Sequence, residues 1–172
     1  FVVDKHPNSL FCSFDGDGDR IVFHGMSAGH WILLDGDRIA SLVATFLLRE
    51  VQEAGLNEQL SLGIVQTAYA NGASTAYLRS LGISVVFAKT GVKYLHHAAQ
   101  SLDVGVYFEA NGHGTVIFSA KARELIKSGA SAESSERRKL AFARLQACLA
   151  VINQTVGDAL SDLLLTLAIL QV

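Results

Sequence analysis

Pro7 is the only proline in this chain, and Cys12 and Cys148 are its only cysteines. With half of the residues hydrophobic and almost no proline, disorder is not the default and a substantial core can form. The cysteines lie far apart and make no C-x-x-C pair, which excludes a zinc site or redox motif built on them and favours a reduced, cytoplasmic setting. Charge of one sign is missing too. The formal charge of −2 gives no broad attraction to nucleic acid or anionic membrane, so neither is expected as a partner, and any bound phosphate must be met by local groups. The terminal stretch 163–172 is apolar but too short to span a bilayer. Residues 1–6 show no basic region followed by a long apolar core and do not begin with Met, so this start reads as the cut edge of a longer protein. The length allows one ordinary domain, or one domain with part of another.

What the chain does have is concentrated in Phe14-Asp15-Gly16-Asp17-Gly18-Asp19-Arg20, three carboxylates on alternate residues with a glycine in each gap. Acids this close repel unless they share a cation, and hard oxygen ligands suit Mg²⁺ or Ca²⁺. Gly16 and Gly18 let the backbone coil so that all three acids point inward. An acidic, glycine-rich hairpin turn without metal is the plain alternative. A calcium EF-hand is excluded by Arg20 at its sixth position and Met26 at its twelfth. The apolar flanks, 10–14 and 21–23, predict two strands joined by the loop, with a turn over 25–29 and a further short strand over 31–34.

Next, Ile39, Leu42, Val43, Phe46 and Leu47 recur at helical spacing, with Asp35 and Asp37 as capping acids and an end near Gly55. Strands over 62–67, 85–88 and 104–109 alternate with helices over 74–81 and 91–102, the second presenting Val92, Leu95, His96 and Ala99 on one face. The fold class is therefore α/β: a mixed, largely parallel sheet with helices on both faces, preceded by a β-hairpin, with ligands held where strands end and helices begin. At that edge Lys89-Thr90-Gly91-Val92-Lys93 combines free helix amides with two lysines, suited to phosphate or a sugar oxygen, or is a capped helix with solvated lysines. Glu109-Ala110-Asn111-Gly112-His113-Gly114 carries the Asn-Gly hairpin signal into a strand over 115–119. Such a turn also gathers an acceptor, an amide and an imidazole suited to sugar hydroxyls. Beyond it come a short helix to Ile126, a polar surface loop over 128–136, and a helix over 137–156 with Leu145, Leu149, Ile152 and Val156 on one stripe and a solvated Arg137-Arg138-Lys139 start. A last helix should pack on this domain or another.

The loop Phe14 to Arg20 resembles the magnesium loop of the α-D-phosphohexomutases, and Glu109 to Gly114 is similar to the sugar-recognition loop of their phosphoacetylglucosamine mutase branch. The resemblance continues through Gln66-Thr67-Ala68-Tyr69-Ala70-Asn71-Gly72, Lys89 to Lys93, and Gly157-Asp158-Ala159-Leu160-Ser161-Asp162, covering most of the chain from Ser9 onward. It implies residues 1–34 as the end of domain two and 35–172 as domain three of a four-domain enzyme. That enzyme would interconvert N-acetylglucosamine 6-phosphate and 1-phosphate through a phosphoserine and a sugar bisphosphate, towards UDP-N-acetylglucosamine. The resemblance further implies Mg²⁺ on Asp15, Asp17 and Asp19, sugar contacts from Glu109, Asn111 and His113, and Arg20 and Lys93 as catalytic candidates. The implied partners are a phosphorylated N-acetylhexosamine and the missing domains. Two features depart from the family: His6-Pro7-Asn8-Ser9 holds the ingredients of its serine loop in the wrong order, and Leu167 stands where a glutamate is usual. The chain alone is expected to be inactive. A metal- or sugar-binding module without catalysis, or a degenerate mutase fragment, is the alternative.

Overall fold

The computed structural model describes residues 9–132 and 135–172; His6, Pro7 and Asn8, weighed above as a scrambled serine loop, lie outside the described residues. The strands β1 (Leu10–Phe14), β2 (Ile21–Ser27) and β3 (His30–Leu34) form an antiparallel meander. Strand alternation sends Ile21 and Phe23 into the core, while Phe11, His24 and Trp31 stack on the other face at centroid spacings of 5.9 and 5.4 Å. The reversal is tighter than the expected 25–29 turn. Only Ala28 and Gly29 make it, both at positive φ, whereas Gly25 lies within β2 opposite Leu10.

Asp35 caps α1 (Gly36–Glu53) by accepting from the Arg38 amide at 3.1 Å. Ile39, Val43, Phe46 and Leu47 form its buried stripe, and Gly55 at φ 72° closes it. Asp37 departs from its expected capping role. It is buried and accepts from the Asn71 amide at 2.8 Å, tying α1 to the start of α2 (Gly72–Ser80); burial, and then the neighbouring Asp35, raise its pKa against the pull of that amide.

The second sheet runs β5-β4-β6-β7, with β4 (Leu62–Thr67) parallel to β5 (Ser84–Ala88) and β6 (Val104–Phe108), and β7 (Gly114–Phe118) antiparallel. Val65, Tyr107 and Ile117 face α3 (Val92–Ala99) in a small cluster with Leu95 and Ala99. Ile64, Val106, Phe108, Val116 and Phe118 face the main core with α1, α5 (Glu136–Val151) and α6 (Ala159–Ile169). Strand β5, expected to be buried, is an edge, and its exposed Phe87 lies under the Arg79 guanidinium at 5.8 Å.

Two further expectations change. Helix α4 (Ala120–Ala132) continues through the supposed loop at 128. A Cβ at Gly129 would stand 2.3 Å from the Phe142 ring, so a small, polar-looking segment here permits close packing of α4 on α5. Helix α5 stops at Val151, because Asn153 Oδ1 turns the chain by accepting from the Thr155 and Val156 amides, and Val156 is exposed. The basic start of α5 is exposed, as expected, and is paired as well. Arg137 bonds Glu53, Arg138 Nη2 donates to the Ala54 carbonyl at 3.0 Å, and Lys139 pairs with Glu136, so two of the three serve the end of α1, where the helix dipole is negative. Among the described residues no helix is long and apolar enough to cross a membrane.

Candidate active site

The acidic loop joins β1 to β2 as the sequence implied. Asp15 Oδ1 accepts the amides of Asp19 and Arg20, each at 3.2 Å, which coils the loop about that carboxylate. Desolvation pushes the Asp15 pKa up, but those two amides, with Asp17 and Asp19 as further partners, outweigh it and hold the group below its usual value. One ligand oxygen from each of Asp15, Asp17 and Asp19 lies within 4.8 Å of the others. Octahedral Mg²⁺ ligands stand at most about 4.2 Å apart, so closing on the ion asks for small side-chain adjustments. Asp19 Oδ1 is buried and accepts no hydrogen bond among the described residues. Its nearest cation is Arg20 Nε at 3.6 Å, and the same nitrogen lies 3.5 Å from Asp15 Oδ2. An acid triad with an orphaned inward oxygen fits a hard cation.

The second loop, between β6 and β7, is a hairpin. The Gly112 amide donates to the Glu109 carbonyl at 2.9 Å, the Glu109 amide donates to the His113 carbonyl at 2.8 Å, and Asn111 Oδ1 accepts the His113 amide at 3.0 Å. Part of each candidate is thus spent on structure. Glu109 Oε1 accepts the Gly91 amide at the start of α3, at 3.0 Å, while Oε2 and Asn111 Nδ2 make no hydrogen bond among the described residues.

The two loops are joined to each other. The Ile21 amide donates to the Gly112 carbonyl at 3.3 Å, Arg20 and His113 form an antiparallel bridge, and His113 Nδ1 stands 3.5 Å from Asp19 Oδ2. Gly112 sits at φ 90° so close to β2 that a Cβ would fall 2.0 Å from the Ile21 carbonyl oxygen. From the far end of the chain, the Ala159 amide donates to the Gly18 carbonyl at 3.0 Å, and Gly157 lies against the His113 ring. Asp158 caps α6 there by accepting the Leu160 and Ser161 amides; the Ser161 amide contributes most to its lowered pKa.

A cleft of about 530 Å³ opens between these segments, lined by Asp19, Lys93 and His113 together with His96, Tyr107, Thr155, Val156 and Gly157. Lys93 therefore faces the site, its ammonium 5.0 Å from the Tyr94 ring centre. Asp15, Asp17, Arg20, Glu109 and Asn111 stand outside this cleft's lining. His96, assigned above to a packing face, and Tyr107 were not singled out as site residues. The available signal was spacing, since His96 lies one turn after Lys93 on the same helix.

The family model described as phosphoacetylglucosamine mutase AMG1, domain III, matches residues 35–172. The chain belongs to the phosphoacetylglucosamine mutase family. The Saccharomyces cerevisiae phosphoacetylglucosamine mutase is 52% identical over 168 residues, covering 96% of this chain and 30% of that protein. The crystal structure of Aspergillus fumigatus N-acetylphosphoglucosamine mutase in complex with GlcNAc-6P and magnesium is 49% identical with a TM-score of 0.86, over 92% of this chain and 32% of that one. An N-acetylglucosamine-phosphate mutase in its product complex, described as a member of the α-D-phosphohexomutase superfamily, is 45% identical with a TM-score of 0.89, over 95% of this chain and 31% of its own. The chain spans about a third of the length of the mutases it matches.

Proposed function

We propose that this chain supplies the metal and sugar loops of a mutase interconverting the 6- and 1-phosphates of N-acetylglucosamine. Residues 1–34 read as the end of the preceding domain and 35–172 as the sugar-binding domain, in a cytoplasmic enzyme. The observation that carries the reading is the bridge between the loops, which sets His113 against Asp19 and makes one site of two segments distant in sequence.

Asp15, Asp17 and Asp19 would hold Mg²⁺, which supplies charge neutralisation to a transferring phosphoryl group when bound. Arg20 turns Nε to the acids and keeps its terminal nitrogens for a phosphate oxygen. Glu109 Oε2, Asn111 Nδ2 and His113 Nε2 offer an acceptor, a donor and a tautomer-dependent partner to sugar hydroxyls. Lys93 brings a donor or proton-transfer group to the lining of the cleft.

In the intact enzyme carrying this chain, Asp17→Asn should weaken Mg²⁺ binding and reduce GlcNAc-6P turnover at least tenfold, with unchanged circular dichroism. One charged ligand is lost, while the turn depends on glycine and on Asp15. Phosphorus NMR and Mg²⁺ titration read both quantities. An intact enzyme that does not interconvert the two phosphates, or whose variant keeps its Mg²⁺ dependence, defeats the proposal.

A further inference from the structure

We infer that His96 is a further substrate-contacting residue of the cleft, its imidazole fixed there by Tyr107 so that Nε2 meets a hydroxyl or amide oxygen of an N-acetylhexosamine phosphate. The inference rests on the sugar-phosphate reading of the site. His96 lies three residues after Lys93 on α3, and both line the cleft together with Asp19 and His113. Its Nδ1 stands 3.0 Å from the Tyr107 hydroxyl, with the rings edge to face at 5.8 Å. Tyr107 is almost wholly buried on β6, packed with Val65, Leu95 and Ala99, so it gives the imidazole a rigid anchor. Burial, then the charge of Asp162, raises the phenol to about 12, and it therefore stays protonated across physiological pH.

The second nitrogen is the one left to offer. Among the described residues Nε2 has one hydrogen-bond partner, the exposed Gln100 amide at 3.3 Å, a contact that solvent or a ligand oxygen can replace at little cost. Tyr107 acts through His96 and is the positioning residue; His96 is the one expected to touch ligand.

Two measurements decide the matter. On the 172-residue chain, ¹H–¹⁵N spectra of the histidine rings are followed while millimolar GlcNAc-6P is added. The His96 Nε2 resonance should move together with that of His113, and the His96 response should be lost in Tyr107→Phe. Movement of His113 without His96, or no movement at all, overturns the inference. In the intact enzyme, His96→Leu should raise KM about five- to tenfold with kcat changed less than twofold, the size of one hydrogen bond made equally in ground and transition states. His96→Gln, which can reach with an amide, should recover most of the loss. A KM unmoved in His96→Leu, or lost equally in His96→Gln, also overturns it. Were the intact wild-type enzyme to lack mutase activity, the sugar-mutase reading would fall while the ring spectra still decided whether His96 meets a sugar phosphate.

Discussion

At the scale of single residues, the glycines of the two loops are not equally required. Gly16 has open space around it and an ordinary φ, whereas Gly112 combines φ 90° with a backbone oxygen where its Cβ would be. Gly112→Ala should therefore lower stability by about 3 kcal/mol, through left-handed strain and the clash with β2. For a chain of this size that is a melting temperature lower by roughly 6–12 °C. Gly16→Ala should stay within about 0.5 kcal/mol of the parent. Differential scanning calorimetry on both variants checks the pair, and equal losses would mean that the contact between the loops is not what holds them. The clustering of the acid triad beside Arg20 and the Asn-Gly hairpin was legible because each uses neighbours in sequence. The structural bond of Glu109 was not, since its partner, the Gly91 amide, is eighteen residues away.

At the scale of elements, α6 ties the C-terminal part of the described chain to the acidic loop through the Ala159 amide and the Gly18 carbonyl. Asp158 orients that helix end with its two capping bonds. Asp158→Ala should cost about 1 kcal/mol of stability as a lost N-cap. It should also weaken Mg²⁺ binding severalfold although no ligand is removed, because the loop loses its outside support. Calorimetric Mg²⁺ titration tests this; unchanged affinity with lowered stability would show a loop that stands by itself. The helices read well where an apolar stripe ran unbroken, as in α1, and badly where packing set the boundary. Helix α4 outran its apolar pattern because Gly129 meets Phe142, and α5 fell short because the Asn153 side chain captured the next amides. Strand β5 looked buried from Val85 and Val86, but edge position is a property of strand order, which periodicity does not carry.

At the scale of the whole molecule, one buried acid should govern part of the pH dependence of folding. Asp162 lies on the inner face of α6 with no hydrogen-bond partner for Oδ2 among the described residues, and burial, reinforced by Asp158, raises its pKa from 3.8 to about 8. Between those values the folded chain holds a proton that the unfolded chain has released. The stability this group contributes is therefore fully present below about pH 4, falls as pH rises, and levels off above about 8, at no more than about 1.4 kcal/mol per pH unit. Asp162→Asn, neutral throughout, should become progressively more stable than the parent from pH 5 to 8. Urea denaturation at several pH values measures the difference, and a constant gap would place the Asp162 pKa near its ordinary value in the folded chain.

The bridge from Arg20 to His113 also constrains motion. Backbone bonding and the close approach at Gly112 fix the distance between acid triad and hairpin tip, so neither loop can advance on the other as a reaction proceeds. Under the proposed reading, a sugar that presents first one end and then the other to the same phosphoryl group must do so by turning over itself. The paired loops would act as a stationary gauge against which both orientations are measured, and the two hydroxyl patterns must each fit that single spacing.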